Sequence, residues 1–331
     1  MAVTIKKVAE LAGVSTATVS RVINNGTGIR QLTRNKVLKA IASSGYRVNT
    51  IARSLKTNRT GIIGLITPEI ANDFFMNIAR SIEEYLKGFG YSLIICNTNE
   101  STSEEINRAE LLVEKCVDGV IVIPSSNSGS HFSILKDAGI PVVLADRLTS
   151  DFNADAVVVD NQKGVYMAVS YLIARDHNRI AFIGGSPELS NARERYEGYL
   201  QALKEYKLAK DDKLVLIGDF HVDSGFNLMK QLMELPDPPD QVFIANNFMH
   251  MGAIKYIIAN GYNPDSSPRI GSFDDLELSS ILGYASVTVA QPVEGIGSKA
   301  AELLLDRIEG DKTAPFRTIR LQTDLKVTRM R

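Results

Sequence analysis

The chain is poor in several residue types and patterns, and each shortage closes off a class of function. Only two cysteines occur in 331 residues, Cys96 and Cys116, both within apolar-periodic segments. A structural zinc site needs three or four clustered ligands, so the pair predicts buried thiols with neither disulfide nor metal. The four histidines, His131, His177, His221 and His250, are scattered, in no order that sets a nucleophile beside a base and its orienting partner. Gly184-Gly185-Ser186 follows an apolar run but lacks the full G-x-G-x-x-G and its following acid, so it reads as a tight turn and not a dinucleotide loop. No enzymatic activity and no cofactor are expected. No apolar run is long enough to span a bilayer, and the opening Met1-Ala2-Val3-Thr4-Ile5-Lys6-Lys7 carries no apolar secretion segment. The expectation is a soluble, cytoplasmic protein with no membrane partner.

Acids are almost absent from the first 60 residues, which carry eleven Lys or Arg against Glu10 alone and so a charge of +10. The rest of the chain, with 26 basic and 37 acidic residues, carries −11, and the overall −1 conceals the division. A small basic head on an acidic body is the electrostatic footprint of a nucleic-acid-binding module joined to a domain with another task. A solvated basic face without a partner would not exclude acids so completely. With 44% apolar residues and 331 positions, the chain has material for two or three folded units.

From Ile62 onward, short β-branched runs alternate with helical patterns. Strands are expected at Ile62–Thr67, Ser92–Cys96, Gly119–Ile123 and Pro141–Ala145, with helices at Asp73–Gly88 and Glu104–Cys116 between them. A second set begins after Asp160, with strands at Arg179–Ile183, Leu214–Gly218, Gln241–Ala245 and Arg269–Phe273. Its helices are expected at Lys163–Arg175, Ala192–Tyr206, Ser224–Glu234 and Phe248–Asn260. Such alternation means parallel strands crossed over by helices, here in two doubly wound lobes of similar size. Ligands in these sheets sit beyond the carboxyl ends of the strands, so two facing lobes make a cleft that a hinge motion can close.

The head begins with two helical patterns, Ile5–Ala12 and Thr16–Asn24, separated by Gly13-Val14-Ser15. Gly13 permits a left-handed turn, Val14 packs beneath it, and the Ser15 hydroxyl can cap the second helix. A third helix near Thr33–Ser44 brings Val37, Leu38 and Ile41 to a small core with Val8, Leu11, Val19 and Val22. That core leaves Thr16, Ala17, Ser20 and Arg21 outward, three small residues that allow close approach to base edges and an arginine able to grip guanine with two hydrogen bonds. The following Val48–Thr60 has helix formers for little more than two turns, too few for a stable isolated helix in water, and should fold only when held.

Thr4-Ile5-Lys6-Lys7-Val8-Ala9-Glu10-Leu11-Ala12-Gly13-Val14-Ser15, followed by Thr18-Val19-Ser20-Arg21-Val22-Ile23-Asn24, resembles the head of the lactose-repressor (LacI/GalR-type) family, and the resemblance runs through the whole chain. It implies an α/β protein with an N-terminal three-helix helix-turn-helix head and a two-lobed, periplasmic-binding-protein-like, doubly wound body. The head would occupy 1–47, the hinge 48–60 and the effector-binding and dimerisation domain 61–331. Lobe one would comprise about 61–160 plus 293–322, and lobe two about 161–291 plus 323–331. By this resemblance Thr16, Ala17 and Arg21 read bases in palindromic double-stranded operator DNA, Ser15, Thr18, Ser20 and Asn24 position the helix on phosphates, and Thr4 is a further DNA-binding residue. Asn49, Ala52 and Leu55 would belong to a hinge helix that folds on the operator, with Leu55 wedged between base pairs. Unstacking a step costs on the order of a few kcal/mol, recovered through contacts to bent DNA. Without the resemblance, Leu55 docking the linker on the first lobe would be an equal alternative.

The same resemblance and the strand-end rule point to an effector site. Asn72, Phe74 and Phe75 follow the first strand, Asp146 and Arg147 the fourth, and Phe220, Asn246 and Asp274 end strands in the second lobe. Arg195 matches the family's ligand-binding arginine, Asn247 stands where an Asp is usual, and Gln291 matches a residue at the inter-lobe crossover. Aromatic rings for flat apolar faces and planar polar groups for hydroxyls suit a sugar or sugar derivative. Arg147 hints at an anionic effector, with a rim salt bridge as its alternative. Paired phenylalanines such as Phe74 and Phe75 are more often core, though one is expected to face the ligand.

The function implied is a sequence-specific transcription regulator, in most of the family a repressor, controlled allosterically by a small effector. Alternatives are a catabolite-control regulator driven by a protein corepressor, a purine-responsive repressor, and a sugar receptor serving a transporter; the last would show a secretion signal and no basic head. No heptad tail follows Leu325-Lys326-Val327, so a homodimer is expected, with first-lobe helices and the amphipathic Gly295–Ile308 segment as candidate interface.

Overall fold

A computed structural model describes residues 3–23, 27–46, 59–175, 179–274, 281–310 and 313–328. The chain divides into Met1–Thr60 and Gly61–Arg331. In the first unit, α1 (Ile5–Ala12), α2 (Thr16–Ile23) and α3 (Gln31–Ser44) surround Val8, Ala9, Ala12, Val19, Val22, Val37 and Ala40. Gly13 takes the left-handed conformation (φ 65°, ψ 38°) that turns α1 toward α2. The Ser15 hydroxyl accepts from Thr18 N–H at 3.2 Å, capping α2 as expected. Leu11 and Leu38, expected in the core, are 55% and 49% exposed. At about 100° per residue, each lies roughly a quarter-turn off the face its helix buries, and alanines at 9, 12 and 40 fill the contacts instead.

The second unit contains two six-stranded sheets. The first has the order β11-β5-β4-β3-β1-β2, from β1 (Ile62–Thr67), β2 (Ser92–Asn97), β3 (Gly119–Val122), β4 (Val142–Ala145), β5 (Asp155–Val159) and β11 (Thr318–Leu321), every pair parallel. The second runs β12-β10-β9-β8-β6-β7, from β6 (Ile180–Gly184), β7 (Val215–Ile217), β8 (Gln241–Ile244), β9 (Arg269–Phe273), β10 (Ala285–Ala290) and β12 (Asp324–Val327). Among the described strands only β12 runs antiparallel to its neighbour, pairing Val287 with Val327. Every residue of β3, β4, β5, β6 and β8 is buried. Strands buried on both faces read as continuous Val/Ile runs because helices cover the parallel sheet above and below.

The helices of the first lobe are α4 (Asp73–Lys87), α5 (Thr102–Glu114), the short α6 (Ser133–Asp137) and α11 (Val293–Glu309). Those of the second are α7 (Asn161–Ile173), α8 (Ser190–Glu205), α9 (Val222–Met233) and α10 (Asn247–Ala259). α5 begins at Thr102, earlier than its periodicity suggests, because Ser101 caps it by accepting from Glu104 N–H at 3.4 Å. The helix ends at Glu114, so Cys116 falls beyond it, at φ 52° and exposed, which corrects its expected burial; Cys96 is buried. The chain passes between lobes three times, after β5, β10 and β11.

Candidate effector cleft and DNA-binding face

The strands of each sheet end on a common cleft of about 460 Å³, open solvent at its mouth included. Asn72, Phe74, Phe75, Asp146, Arg147, Arg195, Phe220, Asn246 and Asp274 all line it, so nine of the ten residues expected there are brought together. Gln291 stands behind the lining, its amide donating to Asp274 Oδ1. Asn247, noted in the sequence as standing in place of an Asp, lines it too, and Glu69, Glu100, Asn191, His221 and Phe248, to which sequence reasoning assigned no site role, complete the wall.

Backbone strain aims several of these side chains. Glu100, Asp146, Phe220 and Asp274 have φ of 56°, 61°, 68° and 68°, in the left-handed region that side-chain-bearing residues rarely occupy. Asp146 centres a three-residue turn closed by Arg147 N–H to Ala145 C=O at 2.6 Å. The Phe220 carbonyl is held by Asn246 Nδ2 at 3.0 Å, while Asn246 Oδ1 caps α10 by accepting from Met249 N–H at 2.9 Å. Gly185 makes room for the aromatic ring: a Cβ there would overlap Phe220. The Gly184-Gly185 pair is thus a site of close approach, with Gly184 still within β6, and the tight turn falls just after it, closed by Leu189 N–H to Ser186 C=O at 3.1 Å.

The charged groups are arranged in depth. Arg147 Nη1 and Nη2 each donate to Glu100 at 2.8 Å, and Nη1 also donates to Pro124 C=O at 2.9 Å. Its guanidinium lies 5.9 Å from the Phe75 ring centroid and 5.8 Å from that of Phe220. The ion pair belongs to the buried wall and not to the rim, since Arg147 is 3% exposed. Burial opposes the charge on Arg147, but the hydrogen bonds it donates to Glu100 and the negative charges of Glu100, Asp146 and Glu105 together outweigh it and raise its pKa. Arg195 donates to Asn161 Oδ1 at 2.9 Å and Ala245 C=O at 2.7 Å, and lies 3.7 Å from the Phe273 ring centroid; burial lowers its pKa. Burial raises the carboxyls of Asp146 and Asp274 against the pull of Arg195, that of Asp274 to about 6.

Besides the approach of Arg147 to Phe220, hydrogen bonds join the lobes across the cleft. Asn72 and Asn247 exchange amide hydrogen bonds at 3.3 and 2.9 Å. Asn191 Nδ2 donates to Asp146 Oδ2 at 2.9 Å, and Leu148 N–H donates to Ser190 Oγ at 2.8 Å. The asparagine at 247 therefore has a definite use, because a carboxylate could not donate to Asn72.

On the head, Thr4, Ser15, Thr16, Ala17 and Arg21 are exposed and Thr18 and Ser20 half-buried, so the outward side of α2 is short side chains and one arginine. Asn24, Asn49, Ala52 and Leu55 lie outside the described residues.

A three-helix basic head with a helix-turn-helix, joined to two α/β lobes that converge polar and aromatic groups on one cleft, defines a ligand-responsive DNA-binding regulator. The chain belongs to the LacI family: residues 4–49 match the model for bacterial regulatory proteins of the lacI family, and residues 60–327 that for periplasmic binding proteins and the sugar binding domain of the LacI family. It is 34% identical to the HTH-type transcriptional repressor PurR of Vibrio atlanticus (strain LGP32) over 97% of this chain and 96% of that one. It is likewise 34% identical to catabolite control protein A of Priestia megaterium, over 92% of each. A structure of the transcriptional regulator CelR with cellobiose is 31% identical, with a TM-score of 0.73 and 98% of both chains covered. The chain is a DNA-binding transcription regulator with a ligand-binding domain.

Proposed function

We propose that the protein represses transcription as a cytoplasmic homodimer, and that a small polyhydroxylated effector, a sugar or sugar derivative, sets its affinity for a palindromic operator. The observation that carries this reading is the convergence of Phe74, Phe75, Phe220, Asp146, Arg195 and Asp274 from strand ends of both lobes onto one cleft. Aromatic faces suit the apolar side of a sugar ring, and buried planar acceptors and donors suit its hydroxyls. In the head, Thr16, Ala17 and Arg21 read bases, with Thr4, Ser15, Thr18, Ser20 and Asn24 on the backbone and Asn49, Ala52 and Leu55 forming a hinge helix in the minor groove. Effector and operator change each other's affinity by one common factor, typically equivalent to about 1–3 kcal/mol. The protein acts by binding, with no reaction of its own.

A melting-temperature screen of the full chain against sugars, sugar phosphates, sugar acids and nucleobases tests the effector class, since a ligand selective for the native state raises Tm. Asp274→Ala should keep operator binding and lose the effector response; a full response in that variant refutes the assignment of the cleft. Relatives named PurR and catabolite control protein A support two further readings. Stabilisation by a free nucleobase alone favours the first, and operator binding only with a second protein present favours the second.

A further inference from the structure

Resting on the reading of the cleft as the effector site, we propose that Glu100 is a specificity-determining residue that supplies Arg147 with an internal counter-ion and thereby restricts the cleft to uncharged ligands, excluding sugar phosphates and sugar acids.

Arg147 by itself would suggest the opposite, a fork for a ligand anion. The structure fills that fork from within. Both terminal nitrogens of Arg147 are directed at the two oxygens of Glu100, each at 2.8 Å, in the bidentate geometry that a carboxylate or phosphate ligand would otherwise take. Glu100 reaches the guanidinium because Asn99 and Glu100 adopt φ of 51° and 56° in succession, turning the chain between β2 and the Ser101 cap of α5. Two adjacent left-handed residues with side chains are a costly arrangement, and here they place one carboxylate.

The charge balance agrees. The lining carries four carboxylates, Glu69, Glu100, Asp146 and Asp274, against two guanidiniums, Arg147 and Arg195. An added anion would face this excess in a cleft walled by buried charged groups. Among the described residues, two buried polar atoms of this wall make no hydrogen bond: Arg147 Nε and Asp146 Oδ1. One is a donor and the other an acceptor. A hydroxyl group donates and accepts at once and so has the chemistry for both, whereas an ionised phosphate or carboxylate oxygen only accepts and would set like charge against Asp146 Oδ1.

The test compares the full-length protein with Glu100→Gln and with the charge-neutral double variant Glu100→Gln/Arg147→Gln, by melting temperature at constant ionic strength. Inorganic phosphate serves as the anionic probe, and the double variant reports phosphate held elsewhere, including on the basic head. Wild type should match the double variant, and Glu100→Gln should respond at roughly 10- to 100-fold lower phosphate, the range expected for hydrogen bonds to a charged group. A wild type more sensitive to phosphate than the double variant overturns the proposal, as does a folded Glu100→Gln that gains no sensitivity. Should Glu100→Gln not fold, the wild-type comparison with the double variant still decides.

In parallel, wild type is titrated with ribose against ribose 5-phosphate, and with glucose against glucose 6-phosphate and gluconate. Stabilisation by a neutral sugar and not by its charged counterpart supports the proposal; stronger stabilisation by the charged member of any pair overturns it. Failure of every sugar to raise Tm counts against the sugar reading itself, and the phosphate experiment then decides the role of Glu100 alone.

Discussion

Replacing Asp274 by Asn removes one negative charge from a wall where it is 7% exposed, accepts from Gln291 and faces Arg195 without a close ion pair. Burial lifts this carboxyl from its ordinary 3.8 to about 6 despite the pull of Arg195. The folded protein thus binds the proton more tightly than the unfolded chain. Stability from this group is fully present below 3.8 and is lost as pH rises through 6, and the gap corresponds to about 3 kcal/mol. Asn carries no such charge, but its amide offers one acceptor oxygen where the carboxylate offers two, and Gln291 and the backbone of Asn247 both draw on them, which costs about 1 kcal/mol. Asp274→Asn should therefore stabilise the protein by about 2 kcal/mol at pH 8, or roughly 4–8 °C in Tm. The advantage should shrink as pH falls through 6 and vanish near pH 4, while the effector-induced rise in Tm declines at every pH. Melting curves of both proteins from pH 4 to 8, with and without effector, measure this. A variant no more stable than wild type at pH 8, or an advantage that persists unchanged at pH 4.5, refutes the electrostatic account.

Three further perturbations probe the same architecture. Arg307→Gln strips Asp155, fully buried and bonded to Arg307 at 2.6 and 3.1 Å, of its buried cation and leaves it the Arg317 N–H at 2.6 Å and the half-exposed Arg317 guanidinium at 3.7 Å; urea unfolding should show a loss of about 3 kcal/mol, largely restored by adding Asp155→Asn. Gly185→Ala drives a methyl into the Phe220 ring, and should cost about 1–3 kcal/mol and weaken effector binding measured calorimetrically; unchanged affinity would dissociate Phe220 from the ligand. Arg21→Ala should weaken operator binding in gel-shift assays by about 1–3 kcal/mol with little effect on random duplex, and an equal loss on both would make Arg21 a phosphate contact.

Much of the fold is legible because burial on both faces writes itself into composition. β1 and β9 begin and end where their apolar runs do, at Ile62–Thr67 and Arg269–Phe273. The edge strands β11 and β12 left no such signal: Thr318–Leu321 and Asp324–Val327 are four residues each, exposed or half-buried throughout, and polar at alternate positions. The head was readable as a motif, but the balance between leucine and alanine at its helix contacts was not, since periodicity locates a face to within one neighbouring residue. Most of the cleft could be found because chain ends of parallel strands converge. Glu100 could not, for it sits in the polar stretch Asn97–Ser103, where nothing in the sequence announces a left-handed backbone that turns a carboxylate inward.

The threefold passage between lobes has a consequence for biosynthesis. Thr318 of β11 pairs with Ala156 of β5, and α11, which supplies Ile296, Ala300 and Leu304 to the interior, also follows the second lobe in the chain. As the polypeptide leaves the ribosome, the N-terminal lobe must wait for nearly all of its companion to emerge before it can be sealed. Because β11 and β12 are successive, loss of the chain from Thr318 onward unseals both at once, and a message truncated there should yield an insoluble product and not a shortened regulator.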